Sequence, residues 1–330
     1  MAGTGTAHLR DDDVLLRVEE LVVEFPAGKG RRVHAVSGIS FDVLEGETLG
    51  LVGESGCGKS TTGRAVIQLP APTSGTVTLG DVEVSGLKGE ALRQVRSELQ
   101  MIFQDPISSL NPRRKVRESV AEGLRIWGRS REEVDAKVAE VFDAVGMNVE
   151  LVGDRRPNEF SGGQCQRISI ARALAMDPKI LICDEPVSAL DVSVQAQVIN
   201  LLEDMKRRYG LTMIFIAHDL GVVKSISDRV MVMYLGKVCE VAPSDELFAD
   251  PQHHYSRLLI ESIPSHDPDA RLEPATGAVE MPSPIDPPSG CRFRTRCPAA
   301  QDLCSSTEPE LREVRPGHFV ACHFPEVGGR

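Results

Sequence analysis

Short apolar runs alternate with amphipathic stretches along most of the 330-residue chain. Five runs have the length and side-chain character of β-strands: "LLRVEELVVEF", "ISFDV", "GETLGLVG", "KILICDEP" and "LTMIFIAHD". The third is interpreted as a buried strand that ends in glycine, and the last two are compact apolar runs of the kind found in a parallel sheet. Helical patterns over residues 131–146 and 193–208 lie between such runs. This alternation predicts an α/β core from about Leu15 to Pro264.

The pattern breaks at both ends of the chain. The start, "MAGTGTAHLRDDD", has no apolar segment of a signal peptide or anchor, and residues 1–13 are predicted to be a disordered polar tail. Residues 263–290 are rich in proline without an apolar period, which indicates a linker. Residues 291–330 are predicted to form a small module that contains four cysteines. No apolar run approaches the roughly 18 residues that span a bilayer.

Charge and cysteine content restrict the partners and the compartment. The formal net charge of −11 argues against broad contact with nucleic acid or with an anionic lipid surface. A role at a membrane would therefore require docking on a protein partner. The eight cysteines come without an export signal, so the reducing cytosol is expected and disulfides are not.

A glycine-rich loop follows the third apolar run in "LGLVGESGCGKSTTG". Its pattern, Gly53-x4-Gly58-Lys59-Ser60 between a strand and a helix, is that of a phosphate-binding P-loop. Backbone N–H groups would face phosphate, Lys59 would neutralise the β- and γ-phosphates, and Ser60 would coordinate Mg²⁺. A turn that binds nothing is the much weaker alternative. The predicted nucleotide-binding residues are Gly53, Glu54, Ser55, Gly56, Cys57, Gly58, Lys59, Ser60 and Thr61.

An acidic pair ends the apolar run "KILICDEP". Asp184 is placed to reach Mg²⁺ through water, and Glu185 to polarise the attacking water. Such a pair alone is weak evidence, because carboxylates at strand ends are usually just solvated. After a P-loop it predicts hydrolysis of a nucleoside triphosphate.

The stretch "EFSGGQCQRISIARALAMDPKILICDEP" resembles the ATP-binding cassette (ABC) ATPases. A hydroxyl and glycine N–H groups at a helix N-terminus form a plausible second anion site. In the family this signature grips the γ-phosphate of ATP bound by the opposite subunit, so the resemblance implies a dimer. It also implies a P-loop NTPase cassette over residues 14–262, with a mixed sheet core and a helical subdomain at about 105–175. The signature residues here are Ser161, Gly162, Gly163 and Gln164.

Other segments match the family in order and spacing. "MIFQDP" supplies Gln104, which the resemblance assigns to Mg²⁺ and the attacking water. "SALD" supplies Asp191, which would reach across the dimer, and "IFIAHD" supplies the switch histidine, His218. Phe25 is the candidate platform for adenine, although it fits strand core equally well and His34 competes for the role. The resemblance thus implies Lys59, Gln104, Glu185 and His218 as catalytic residues, and Ser60, Gln104 and Asp184 as Mg²⁺ ligands.

Three segments resemble the oligopeptide/dipeptide importer branch: "MIFQDPISSLNPR", "HHYSRLLIESIP" and "GCRFRTRCPAAQDLC". The branch implies ATP hydrolysis at the cytoplasmic face of the cell membrane. The implied partners are a second ATPase subunit, with a heterodimer favoured, two transmembrane permease subunits and, indirectly, an extracytoplasmic peptide-binding protein; nucleic acid is not among them.

Two other classes remain open at this point. A soluble ABC ATPase acting on nucleic acid or ribosomes is disfavoured by the net charge, the single cassette and the tail. A regulatory protein that holds ATP without turnover is disfavoured by the intact Lys59, Asp184, Glu185 and His218.

The cysteines of the tail have the spacings C-x5-C, C-x6-C and C-x17-C, without the C-x2-C knuckle typical of zinc ribbons. Spacing alone leaves an iron–sulfur cluster, zinc, a disulfide pair and unconnected apolar residues open. Tails of this form in the importer branch bind a [4Fe–4S] cluster in some members, so the resemblance favours the cluster, with zinc second. The expected ligands are Cys291, Cys297, Cys304 and Cys322.

Overall fold

The computed structural model describes residues 5–263 and 281–326. Its strands are β1 (Val14–Pro26), β2 (Arg32–Leu44), β3 (Thr48–Val52), β4 (Ser74–Leu79), β5 (Val82–Glu83), β6 (Leu99–Ile102), β7 (Ile180–Asp184), β8 (Thr212–Ile216), β9 (Arg229–Tyr234), β10 (Lys237–Pro243), β11 (Arg312–Arg315) and β12 (His318–Val320). Its helices are α1 (Lys59–Val66), α2 (Gly89–Glu98), α3 (Val116–Ile126), α4 (Arg131–Ala144), α5 (Val149–Val152), α6 (Gly162–Leu174), α7 (Val192–Tyr209), α8 (Leu220–Ile226), α9 (Ser244–Ala249), α10 (His254–Glu261) and α11 (Asp302–Ser306), with a 3₁₀ turn at Pro157–Glu159.

The elements expected from the apolar pattern are confirmed. The five runs form β1, β2, β3, β7 and β8, and the two helical stretches form α4 and α7. Every residue of β3, β7 and β8 is buried, which explains why these runs lack polar alternation. Local signals set the helix ends: Ser130 and Glu133 form a capping box at α4, and Gly210 ends α7 in the left-handed region at φ 62°.

The first compact unit comprises the described residues within 1–43, 49–86 and 218–330. It contains an antiparallel sheet of order β2-β1-β4-β5 and a run of strands of order β11-β12-β10-β9-β3. Strand β3 is parallel to β9, from Leu49 opposite Arg229 to Val52 opposite Val232, whereas β10 is antiparallel to β9. The mixed sheet expected from the sequence is therefore present, and β3 leads directly into the glycine-rich loop and α1.

The second compact unit comprises residues 44–48 and 87–217. Its parallel strands have the order β8-β7-β6, and the helices α3, α4 and α6 pack on one another. Val120, Val141 and Ile168 are among the buried side chains of these three helices. The carboxyl ends of parallel strands share one edge, so Asp184 at the end of β7 lies at the edge where such sheets carry their sites.

The N-terminal residues differ from the disordered tail predicted for residues 1–13. Residues 5–13 are described, and they pack on the first unit. His8 is 2% exposed, and its Nε2 lies 2.7 Å from the carbonyl oxygen of Ser40. Arg10 donates from Nε to Asp42 Oδ1 at 2.9 Å. The difference for residues 5–13 arises because these partners are about 30 residues distant in the sequence, where a local polar pattern carries no sign of them.

Asp42 accepts from two arginines in the interior of the first unit. Its side chain is fully buried, and Arg229, with 11% of its side chain exposed, donates to Oδ1 at 2.7 Å. Burial by itself would raise the pKa of Asp42, but Arg229 and Arg10 lower that pKa below its ordinary value. The ion pair therefore contributes stability that is fully present above the unfolded-state pKa of about 3.9 and is lost as the pH falls through the lower folded value.

We expect Asp42→Asn to lower the free energy of unfolding by about 3 kcal/mol or more at pH 7, because Arg229 keeps its charge in the interior without its partner. Urea unfolding measures this change. Asp11→Asn is the control: Asp11 is fully exposed and lies 3.9 Å from Arg17, so its unfolding midpoint should match that of the wild type. Equal unfolding midpoints for Asp42→Asn and the wild type would contradict this account.

The C-terminal residues extend the strands of the first unit. Strand β12 pairs with β10, with Glu240 opposite Val320, and β11 pairs with β12. Glu240, fully buried, accepts from the backbone N–H groups of Gln252 and His253, and lies 2.6 Å from Nε2 of His318. Most of the predicted linker falls outside the described residues. Within its described part, the Pro284 carbonyl accepts from the N–H of His34.

Candidate nucleotide-binding site

The P-loop, residues 53–60, lies between β3 and α1 and requires glycine where the sequence has it. Gly53 and Gly58 have backbone φ angles of 147° and 109°, which residues other than glycine rarely adopt. A Cβ atom on Gly53 would lie 2.2 Å from the Met233 carbonyl oxygen, and one on Gly58 would lie 2.3 Å from that of Ala35. The loop is therefore clamped between neighbouring strands and cannot accept larger residues at these positions.

Lys59 is held against the loop that contains it. Its side chain is buried, and Nζ donates to the carbonyl oxygens of Gly53 at 2.6 Å and Glu54 at 3.0 Å. Lys59 is the first residue of α1, and Ser60 and Thr61 follow it in the first turn of that helix. An ammonium, helix N–H groups and hydroxyls are the donors that a triphosphate and its Mg²⁺ require, so these residues fit that ligand. Burial raises the pKa of the Cys57 thiol, which therefore fills space as a neutral group.

The second unit brings two of the predicted catalytic residues together. Gln104 donates from Nε2 to Oε2 of Glu185 at 2.7 Å. Asp184, the residue before Glu185, is fully buried at the end of β7. A carboxylate oriented by an amide next to a buried acid is suited to accept a proton from water close to a bound cation.

The backbone at Glu185 has an unusual conformation. Its φ is 49°, a region that non-glycine residues rarely occupy and that costs about 1–3 kcal/mol. Its N–H donates to the Ile216 carbonyl on β8 at 2.9 Å, and its own carbonyl accepts from the N–H of Ser188 at 3.2 Å. The two hydrogen bonds hold this turn directly after β7. Strain held in this way is typical of functional positions.

The signature residues form the N-terminus of α6, also in the second unit. Ser161 Oγ accepts from the N–H of Gln164, whose side chain accepts from the Ser161 N–H at 3.0 Å, which makes a capping box. A Cβ atom on Gly163 would lie 2.5 Å from Cγ1 of Val194, so α6 and α7 touch at this glycine. Asp191 caps α7: hydrogen bonds from Ser193 and from the Val194 N–H lower its pKa.

Three further predicted residues lie in the first unit. His218, two residues beyond β8, is exposed. The ring of Phe25 is 37% exposed near the end of β1, which suits a surface for stacking as well as it suits a strand end. The Nδ1 atom of its competitor His34 lies 2.8 Å from Oε1 of Glu24, which also pairs with Arg32. This pairing restrains the His34 ring, and Phe25 stays the candidate platform.

Two contacts of the P-loop were not predicted from the sequence. The hydroxyl of Tyr255, on α10, accepts from the N–H of Glu54 at 2.8 Å. Arg296 donates from its two terminal guanidinium nitrogens, Nη1 and Nη2, to the Glu54 carboxylate, at 2.7 and 2.8 Å. Nothing local signals these contacts, because the partners are separated by 201 and 242 residues.

The four cysteines of the tail come together in the first unit. All four thiols are free and line one small cavity with His253 and Phe293. Burial raises the pKa of Cys291 to about 11 and that of Cys322 to about 12. Within residues 5–263 and 281–326, no three His, Cys, Asp or Glu side chains stand close enough to hold a single metal ion.

Family models match two parts of the chain: "ABC transporter" over residues 36–188, and "Oligopeptide/dipeptide transporter, C-terminal region" over residues 239–304. Oligopeptide transport ATP-binding protein OppF of Escherichia coli (strain K12) is 51% identical over 321 residues, 94% of this chain and 96% of that protein. OppF of Salmonella typhimurium is 50% identical over 328 residues, 96% of this chain and 98% of that protein. The chain belongs to the ABC transporter family, in its oligopeptide/dipeptide branch.

Solved ABC cassettes confirm the predicted fold. CbiO1 of Clostridium perfringens, part of the ABC transporter complex CbiONQ, has a TM-score of 0.64 at 30% identity and covers 72% of this chain and 92% of its own. Cassette MJ0796, solved as a dimer in a post-hydrolysis state with ADP and Pi, has a TM-score of 0.63 at 27% identity. The match covers 69% of this chain and 98% of MJ0796. The alternative of an ABC ATPase acting on nucleic acid or ribosomes finds no support in these matches. Among the residues the structure describes, no helix is both long and apolar enough to cross a bilayer.

Proposed function

We propose that this ABC ATPase hydrolyses ATP to energise a peptide importer, for dipeptides or oligopeptides, at the cytoplasmic face of the cell membrane. The observation that carries the proposal is the joint presence of the Gln104–Glu185 pair and an oligopeptide/dipeptide C-terminal region in one chain. The first provides a route to hydrolysis. The C-terminal region is characteristic of oligopeptide and dipeptide transporters, and the similar OppF proteins are named as oligopeptide transport proteins.

Each site residue has a proposed role. The P-loop binds the phosphates, with Lys59 on the β- and γ-phosphates, and Phe25 stacks on adenine. Ser60, Gln104 and Asp184 would hold Mg²⁺, which supplies neutralisation of phosphate charge when bound. Glu185 accepts the proton of the attacking water, and His218 and Asp191 complete the site. In a dimer, the signature residues of one subunit contact the γ-phosphate bound by the other, because α6 presents N–H groups to an anion.

The partners proposed for this chain are a second, different ATPase subunit and two transmembrane permease subunits. An extracytoplasmic peptide-binding protein acts with them indirectly. ATP would bind the closed pair of cassettes more tightly than the open pair, which shifts the population towards closure and moves the permease. Hydrolysis then lets the cassettes separate.

Affinity purification of the tagged chain from its own membranes tests this assignment. We expect two permease subunits and one different cassette to co-purify, with ATPase activity that rises when peptide-loaded binding protein is added. Co-purification of ribosomes or nucleic acid in place of permease subunits would overturn the transport assignment. Recovery of a single kind of cassette with the permease would overturn the heterodimer alone.

We further propose that Cys291, Cys297, Cys304 and Cys322 hold a [4Fe–4S] cluster. Four free thiols that line one cavity support this, as do backbone hydrogen bonds at three of them: Phe293 and Arg294 to Cys291, Ala299 to Cys297, and Phe324 to Cys322. Backbone N–H groups directed at sulfur stabilise thiolates and tune such clusters.

Anaerobic purification should give a brown protein with broad visible absorption and about four iron atoms per chain. Cys297→Ser is expected to lose the colour and the iron. Cys165→Ser, which alters a buried cysteine of α6 in the other unit, is the control and should keep both. A colourless wild-type protein with one zinc ion per chain would contradict the cluster.

A further inference from the structure

Glu54, the second residue of the P-loop, has hydrogen bonds at its N–H, its carbonyl and its carboxylate. Its N–H donates to Tyr255 Oη at 2.8 Å, and its carbonyl accepts from Lys59 Nζ at 3.0 Å. Its carboxylate accepts the two hydrogen bonds of Arg296. The residue that helps to orient the phosphate-binding lysine is therefore fixed by side chains from the C-terminal part of the chain.

Arg296 is itself strongly restrained. It immediately precedes Cys297, and only 13% of its side chain is exposed, against 28% for Glu54. Its guanidinium carbon lies 5.7 Å from the ring centre of Tyr234 and 5.8 Å from that of Phe293. A planar, bidentate ion pair supported by two aromatic rings loses little freedom when it forms, and it fixes its partner in orientation as well as in distance.

The rings beneath the ion pair form one packed group. Tyr234, Tyr255 and Phe293 are all fully buried, and their ring centres lie 4.7 to 5.3 Å apart. Tyr234 belongs to β9, Tyr255 to α10 and Phe293 to the cysteine-containing segment. The group thus connects the cysteines to both contacts of Glu54 through well-packed side chains.

We propose that Arg296 is a positioning residue for nucleotide binding, through which the C-terminal cysteine module sets the affinity of the P-loop. The inference rests on the proposed role of the P-loop in binding ATP. Arg296 acts through Glu54: the ion pair holds the backbone turn whose carbonyl group orients Lys59, and it neutralises a carboxylate that would otherwise repel the triphosphate. The cysteine module is accordingly a functional part of the nucleotide site.

The two contributions of Arg296 predict an asymmetric double-mutant cycle. Arg296→Gln removes the positioning contact and leaves an uncompensated carboxylate beside a polyanion, so ATP affinity should fall about tenfold. Adding Glu54→Gln removes that carboxylate, so the double variant should bind ATP more tightly than Arg296→Gln alone. Arg296→Lys keeps the charge without the bidentate geometry and should lie between the wild type and Arg296→Gln.

The control is Arg294→Gln, in the same segment. The side chain of Arg294 donates hydrogen bonds to the carbonyl oxygen and the hydroxyl oxygen of Ser289. It makes none of the described contacts with the P-loop. Titration of each purified subunit with a fluorescent ATP analogue gives the dissociation constants, and thermal unfolding shows whether each variant is folded. Glu54→Gln alone provides a second way to break the ion pair if Arg296→Gln lowers stability.

A tenfold loss for Arg296→Gln with unchanged binding by Arg294→Gln, and partial recovery in the double variant, would support the proposal. In the assembled transporter, Arg296→Gln should raise KM for ATP and leave kcat within about twofold, because the Gln104–Glu185 pair is untouched. Wild-type affinity in Arg296→Gln, or strictly additive effects with Glu54→Gln, would overturn it. Absence of ATP binding by the wild type would instead overturn the proposed function, so the two failures are distinguishable.

Discussion

Glu185→Gln is expected to slow ATP hydrolysis by about 100-fold or more and to leave ATP binding intact. The amide has the size of the carboxylate, and its oxygen can still accept from Nε2 of Gln104, so the local structure should persist. It cannot take a proton from the attacking water, and loss of a general base typically costs 10²–10⁴ in rate. With ATP bound and not hydrolysed, the closed pair of cassettes should accumulate.

Phosphate release from the purified transporter measures the rate, and size-exclusion chromatography of the subunits with ATP measures the closed pair. Glu132→Gln, an exposed substitution in the first turn of α4, is the matched control and should hydrolyse ATP as the wild type does. If Glu185→Gln hydrolysed ATP at the wild-type rate, another residue would have to be the base.

Lys59→Ala should have the opposite profile, with loss of ATP binding itself. Its ammonium is a buried cation at the N-terminus of α1, held by carbonyl groups of the loop, and it is the side chain proposed to neutralise the β- and γ-phosphates. Losing a charge-assisted contact to each of two phosphates corresponds to a drop in affinity of about 100-fold. At an ATP concentration that saturates the wild type, hydrolysis by Lys59→Ala should be undetectable.

The same fluorescent ATP titration compares Lys59→Ala with Glu185→Gln. We expect Glu185→Gln to bind like the wild type and Lys59→Ala to show no saturation. Lys29→Ala, a surface lysine in the turn between β1 and β2, serves as the charge-matched control and should bind normally. Wild-type affinity in Lys59→Ala would contradict the assignment of residues 53–60 as the phosphate site.

Most of the fold and the central site motifs follow from local sequence. Strands β7 and β8 were predictable because complete burial demands uninterrupted apolar residues. The P-loop was predictable because only glycine tolerates the backbone angles and close contacts at Gly53 and Gly58. Asp184 and Glu185 follow from the rule that parallel strands present their sites at the carboxyl ends.

What the sequence did not reveal depends on long-range pairing. The contacts of Glu54 with Tyr255 and Arg296 join residues more than 200 positions apart, and no spacing rule identifies them. The same holds for Arg10: its charge in a polar segment predicts a solvated tail, whereas in the structure it donates to the buried carboxylate of Asp42. The pairing of β12 with β10 was also hidden, because β12 has only three residues and a short segment has no measurable period.

That last pairing affects how the protein is made. Residues 237–243 form β10, and within the described part of the chain their outer hydrogen-bonding edge is covered by residues 318–321. During synthesis the edge of β10 stays open while about 75 further residues are added, a wait of several seconds at ordinary elongation rates. An open strand edge is a template for pairing with other chains. Nascent or prematurely terminated chains should therefore be the form most prone to aggregate and the form most dependent on chaperones in the cell.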